Sequence, residues 1–139
     1  MDISENAIEE ITGLDGLDLK ELYLSNNQLE VIKGMTKLEN LRILDLSLNK
    51  IKKLAGLVNL LSLRTLSMAK NNLKNVREID YLENLMYLSH LDLSYNPIQD
   101  RRYYRTQVVY KLLMLQTLDG TPLTSEEAVR AEDFYGLHV

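Results

Sequence analysis

The chain has 139 residues, a formal net charge of −4, 45% hydrophobic and 26% charged residues, and no cysteine. That size and balance fit one folded domain, and the missing cysteines exclude a disulfide framework, a thiolate zinc site and a cysteine nucleophile. No apolar run approaches the roughly 18 residues of a membrane span, and the opening MDISENAIEE has neither the basic nor the hydrophobic stretch of a targeting signal, so a soluble, cytoplasmic protein is expected.

Charge is unevenly spread. Residues 1–30 hold eight acids and one base, whereas 31–77 hold ten bases and two acids. A charged stripe for an opposite partner is one reading of this, and a solvated outer face, adopted here, is the other.

Taken in chain order, the 29 leucines fall into register with five asparagines, Asn6, Asn27, Asn49, Asn71 and Asn96, spaced 21, 22, 22 and 25 residues apart. Each full unit reads leucine, two variable, leucine, one variable, leucine, two variable, asparagine, one variable, aliphatic. That is the leucine-rich repeat pattern in its short form, in which stacked units bury a core that no single one could bury. In LKELYLSNN, Leu22 and Leu24 alternate with Tyr23 and Ser25 at strand period, which predicts one short parallel strand per unit with leucines inward. The turn that follows is buried, and an asparagine side chain supplies both the donors and the acceptor its backbone needs. Ile32, Leu54 and Val76 are expected to roof the core from the convex side. Gly13, Gly34 and Gly56 share one repeat position, consistent with a tight turn or close backbone approach.

The ends differ. ISENAIEEITGL is the back half of a unit with most of its strand missing, so the chain is expected to be a fragment with an open N-terminal end. After Asn96-Pro97, YYRTQVVYKLLMLQTLDG sets Val108, Leu112 and Leu115 at helical spacing and closes on Leu118-Asp119-Gly120, as a capping helix would. Thr124 and Glu127 then form the capping-box pattern of a last helix ended by Gly136. The predicted organisation is an α/β solenoid: repeats over 1–98, with a parallel concave sheet and a short helical or irregular convex side, a helical cap over 99–135, and a tail over 136–139.

Asn96-Pro97-Ile98, Tyr104-Arg105, Val108, Leu112, Leu115 and Leu118-Asp119-Gly120 resemble the cap ending of the short intracellular leucine-rich repeat proteins, a group that includes a phosphatase regulatory subunit, an axonemal dynein light chain and many ciliary proteins. Within it, NNLKNVREIDYLENLMYLSHLDLSYNPIQ followed by YKLLMLQTLDG is most similar to the repeat domain of the guanylate-kinase-linked leucine-rich repeat proteins. No G-x-x-x-x-G-K-[ST] phosphate loop occurs in this chain. The resemblance implies a cytoskeletal, ciliary or sperm-assembly role with the repeats as docking module. The phosphatase-subunit branch implies the alternative of binding and regulating an enzyme.

Stacking lines the outward strand positions up into columns on the concave sheet, the surface such solenoids offer to partners. The columns are Glu21, Ile43, Thr65 and His90; then Tyr23, Asp45, Ser67 and Asp92; and, before the asparagines, Asn26, Leu48, Lys70 and Tyr95. An aromatic and aliphatic patch with a polar rim has the composition of a protein-binding hot spot. Ser67, His90 and Asp92 come close in this scheme, yet a flat sheet offers no strained nucleophile, oxyanion donors or dry pocket, so no catalysis is expected. His90 and His138 lack the clustered carboxylates of a metal site. The lysines of the basic middle have no interleaved aromatics for stacking bases. The expected partner is therefore a protein, without nucleic acid, membrane, cofactor or small-molecule substrate. Tyr104 and Arg105 are expected to pack over the last repeat as structural residues, with Asp119 closing the cap.

Overall fold

Leucine spacing dictates the architecture. The structure, a computed structural model, describes residues 1–136; the rest of the expected tail, His138 included, lies outside the described residues. Strands β1 (Glu21–Tyr23), β2 (Ile43–Asp45), β3 (Thr65–Ser67) and β4 (His90–Asp92) pair in parallel and in order. They are only three residues long because the repeat bends away at the asparagine, and each presents one inward leucine: Leu22, Leu44, Leu66 or Leu91, all buried. Leu24, Leu46, Met68 and Leu93 extend this inner wall, and Leu29, Ile51, Leu73 and Ile98 face it from beyond the turn. Burying a leucine side chain stabilises by about 2 kcal/mol, and the core these residues form runs unbroken from Ile11 to Leu118.

The convex side carries short 3-10 turns at Ala55–Leu57, Val76–Leu82 and Pro97–Asp100. Ile32 and Leu54 roof the core as expected, whereas Val76 is only partly buried. There the unit lengthens to 25 residues and Glu78 accepts a hydrogen bond from Leu54 N–H at 2.9 Å. Close approach explains two of the three glycines at this position: a Cβ on Gly56 would lie 2.1 Å from the Ile32 carbonyl oxygen, and one on Gly34 2.7 Å from that of Ile11, whereas Gly13 meets no such contact and takes a left-handed turn, φ 75°.

The N-terminal segment holds more strand than its sequence suggests. Asp2 bridges Tyr23 in parallel, Tyr23 N–H donates to the Met1 carbonyl at 2.9 Å and Ile3 N–H donates to Tyr23 at 2.9 Å.

The cap differs from a single capping helix. Helix α1 (Tyr104–Lys111) stops before Leu112 and Leu115, which are buried from the loop that follows. That loop leads into β5 (Thr117–Leu118), which extends the parallel sheet by one strand, and β6 (Thr121–Pro122), which turns back antiparallel. Helix α2 (Ser125–Tyr135) begins with the expected capping box: Thr124 Oγ1 accepts from Glu127 N–H at 3.2 Å, and the Glu127 carboxylate accepts from Thr124 N–H at 2.9 Å. Gly136 is the C-cap of α2, in right-handed geometry with φ −62°.

Arg105 ties the two helices to the sheet end, with Nε to Glu127 Oε1 at 2.5 Å and Nη1 to the Leu118 carbonyl at 3.1 Å. The guanidinium holds the Glu127 carboxyl below its ordinary value of 4.5. A depressed carboxylate stabilises the fold above its unfolded pKa, and this contribution is lost as pH falls through the lower folded value. Acidification below pH 4.5 is therefore expected to loosen α2 first, read as faster amide exchange in Ser125–Tyr135, and Glu127→Gln should remove that acid sensitivity.

Candidate functional site

The asparagine position builds the concave edge. Asn27, Asn49, Asn71 and Asn96 are buried, and each amide nitrogen donates both within its own unit and to the unit before. Asn49 Nδ2 reaches the carbonyls of Leu46 at 3.1 Å and Leu24 at 3.0 Å; Asn71 Nδ2 reaches Met68 at 3.0 Å and Leu46 at 2.9 Å. Their Oδ1 atoms accept the N–H two residues past the preceding asparagine, from Leu29 and from Ile51, each at 3.0 Å. Asn6 is exposed, and among the described residues its amide nitrogen donates only within its own unit, to the carbonyls of Ile3 and Ser4, while its backbone N–H donates to Asn27 Oδ1 at 3.1 Å.

This ladder holds the preceding residue in a conformation the sequence does not advertise. Glu5, Asn26, Leu48, Lys70 and Tyr95 all take positive φ, between 55° and 58°. The left-handed state turns their side chains outward at the edge of the sheet. Leu48 is 44% and Tyr95 73% exposed, and Lys70 Nζ sits 5.4 Å from the centroid of the Tyr95 ring, a cation–π contact across adjacent units.

The other two columns are aligned by strand register, Glu21 with Ile43, Thr65 and His90, and Tyr23 with Asp45, Ser67 and Asp92. The Tyr23 hydroxyl donates to Glu21 Oε1 at 2.5 Å, which raises the phenol pKa above its usual range. Asp45 and Asp92 each commit one carboxylate oxygen to the turn behind them, accepting the N–H and hydroxyl of Ser47 and of Ser94. Asp2 accepts from Ser4 N–H in the same way at 3.0 Å. The Asp-x-Ser spacing, at Asp2-Ile3-Ser4, Asp45-Leu46-Ser47 and Asp92-Leu93-Ser94, is the sequence signal of this structural duty. His90 Nδ1 pairs with Thr117 Oγ1 at 2.8 Å and Asp92 with Ser94, so no hydrogen bond links Ser67, His90 and Asp92 among the described residues.

A fourth column lies outside the three that strand alternation predicts. Lys20, Arg42, Arg64, Ser89 and Gln116 stand directly before β1 to β5 and line a shallow groove of about 380 Å³ along that rim. The concave side is thus graded across its width, basic at the strand starts, acidic and hydroxyl-bearing in the middle, aromatic and aliphatic at the asparagine edge. Among the described residues no group of His, Asp and Glu could hold a metal ion, and no helix is long and apolar enough to cross a membrane.

A stacked parallel sheet with an internal asparagine ladder and a helical cap defines a repeat solenoid whose surface is made for contact. The family model for the leucine-rich repeat matches residues 1–137, and the chain belongs to the leucine-rich repeat family. Dynein axonemal assembly factor 11 of Homo sapiens is 46% identical over 139 residues, covering 99% of this chain and 30% of the relative. The U2 small nuclear ribonucleoprotein A' of Emericella nidulans is 30% identical over 59 residues, 42% of this chain and 26% of that protein. The chain spans less than a third of the length of these curated relatives. Among solved structures, a chain of the Drosophila melanogaster SNF/U2A' complex superposes with a TM-score of 0.90 at 25% identity, covering 96% of this chain and 79% of that one.

These relatives correct two expectations. The similarity is to axonemal assembly factors and U2A', which overturns the kinship with guanylate-kinase-linked proteins. The match to the SNF/U2A' complex also overturns the expectation that nucleic acid has no place among the partners. The chain is a non-catalytic leucine-rich repeat protein-interaction module.

Proposed function

We propose that this module docks a protein partner in the assembly of axonemal dyneins, in a cytoplasmic, cilium-associated setting, and that it does so through its concave sheet. The observation that carries the reading is the 46% identity to human dynein axonemal assembly factor 11 along 99% of the chain. The surface chemistry supports the choice of face. Leu48, Lys70 and Tyr95 follow one another along the asparagine edge, and Tyr23 stands in the neighbouring column with Asp45, the mixture of aromatic anchors and polar surround that dominates protein interfaces.

Tyr23→Ala combined with Tyr95→Ala tests it. Both rings lie outside the core, so the melting temperature is expected to hold while capture of axonemal dynein chains from ciliated-cell extract falls by about tenfold or more, as for hot-spot aromatics. Equal capture by the variant would sink the concave-face assignment.

A second reading rests on the TM-score of 0.90 against the SNF/U2A' complex: the same face docks a component of a ribonucleoprotein. Copurification that is lost on ribonuclease treatment would favour this reading over dynein assembly.

A further inference from the structure

Lys20, Arg42 and Arg64 occupy one position in three consecutive units, each directly before its strand. Their backbones are joined: Arg42 N–H donates to the Lys20 carbonyl at 2.7 Å and Arg64 N–H to that of Arg42 at 2.8 Å. The side chains therefore leave the rim at the separation of neighbouring strands, about 4.8 Å, in single file. All three residues are exposed. Among the described residues their side chains form no ion pair and no hydrogen bond, whereas Lys33, Arg105 and Lys111 are paired with Glu10, Glu127 and Asp80. Glu21, the acid that shares their groove, accepts the Tyr23 hydroxyl instead. Three like charges held this close repel one another, and among the described residues no acid pairs with them, so an anionic ligand would relieve the repulsion.

We propose that this rim binds an extended acidic peptide segment of the partner, with its carboxylates set against Lys20, Arg42 and Arg64. The proposal deepens the docking reading above and rests on it for the identity of the ligand as protein. Guanidinium forks match carboxylates bidentately, and the two arginines stand directly before adjacent strands. An extended peptide repeats its same-side residues about every 6.7 Å and is free to carry apolar or basic residues on the other side, which here faces Ile43 and the acids Asp45 and Asp92. A nucleic-acid strand lacks that freedom. It carries a phosphate at every nucleotide, so past Arg64 its charge would lie against the uncharged Ser89 and Gln116, and no aromatic ring lines the groove to stack a base.

The test titrates the protein with a fluorescein-labelled decapeptide of alternating glutamate and serine, and in parallel with a labelled decauridylate, at low ionic strength. The peptide is expected to bind, to weaken as salt is added, and to bind Arg42→Glu/Arg64→Glu about tenfold or more weakly, with Arg42→Gln/Arg64→Gln between the two. Unchanged melting temperatures certify the variants' fold. Absence of peptide binding, equal binding by both variants, or tighter binding of the decauridylate that the same substitutions abolish would each overturn the proposal, the last in favour of nucleic acid. Tyr23→Ala/Tyr95→Ala should retain the peptide. If partner capture survives that tyrosine pair while peptide binding still depends on the arginines, the aromatic-edge reading fails and the rim stands.

Discussion

Asn71→Ala is expected to destabilise the fold by about 3 kcal/mol and to lower the melting temperature by about 10 °C. The derivation depends on which atoms lose their only partner. The Leu46 carbonyl would keep Asn49 Nδ2 at 3.1 Å, the Met68 carbonyl would keep Asn96 Nδ2 at 2.8 Å, and the Ala69 carbonyl would keep Leu48 N–H at 2.9 Å. On the acceptor side the ladder is therefore redundant. Ile51 N–H is different, because Asn71 Oδ1 is its only acceptor among the described residues, and Ile51 is fully buried. A buried donor left without a partner costs about 1–3 kcal/mol, and the three weakened carbonyls with the small void add to that. Asn6→Ala removes only bonds at an exposed position and is expected to change stability by less than about 0.5 kcal/mol. Urea unfolding of the two variants side by side measures the difference. Equal midpoints would show that the ladder is not what holds the turns.

The ladder also explains why some of the edge was legible in sequence and some was not. Asparagines spaced 22 residues apart with leucines two residues apart before them can be read without coordinates, because both follow from one backbone course repeated at each turn. The positive φ of Leu48, Lys70 and Tyr95 cannot. Those residue types ordinarily avoid the left-handed region, at a cost of about 1–2 kcal/mol each. They are held there by the stack: Leu48 N–H donates to the Ala69 carbonyl at 2.9 Å, and Lys70 N–H to that of Ser94 at 2.9 Å. A conformation imposed by the next unit leaves no trace in the residue's own chemistry. The basic file at the rim is the opposite case. Lys20, Arg42 and Arg64 were in register in the sequence, one place before the column that strand alternation marks as outward, and alternation alone passes over them because they precede the strands. The β5–β6 hairpin escaped for a third reason, since two-residue strands carry too little pattern to be seen.

Replacing Asp119 by alanine is expected to destabilise the cap by about 3–4 kcal/mol, and the reason is the unpaired strand edge that every solenoid must close. Along the stack, Leu24, Leu46 and Met68 N–H groups each donate to a backbone carbonyl of the next unit, those of Asp45, Ser67 and Asp92. For Leu93 a side chain supplies the acceptor instead: Asp119 Oδ1, at 2.7 Å. The same substitution occurs one step on, where Tyr95 N–H donates to Gln99 Oε1 at 3.1 Å, in place of the carbonyls that serve Asn26, Leu48 and Lys70. Asp119 Oδ2 also accepts the Tyr104 hydroxyl at 2.8 Å. Burial, and then the nearby Asp119 carboxylate, push the Tyr104 phenol well above its usual range, so it stays a neutral donor. Alanine would orphan the Leu93 N–H and the Tyr104 hydroxyl, both on buried residues. It would also have to adopt the left-handed backbone of this position, φ 53°, which aspartate tolerates better. Asp119→Asn keeps the acceptor and the backbone preference and can donate to the Tyr104 oxygen, so it should cost less than about 1 kcal/mol. Because each unit contacts only its neighbours, the alanine variant should fray from the cap inward, with the amides of Leu93 and of Tyr104–Lys111 exchanging faster than those of the first units. Uniform protection across the chain, or an unfolding midpoint equal to that of the asparagine variant, would reject Asp119 as the group that closes the sheet.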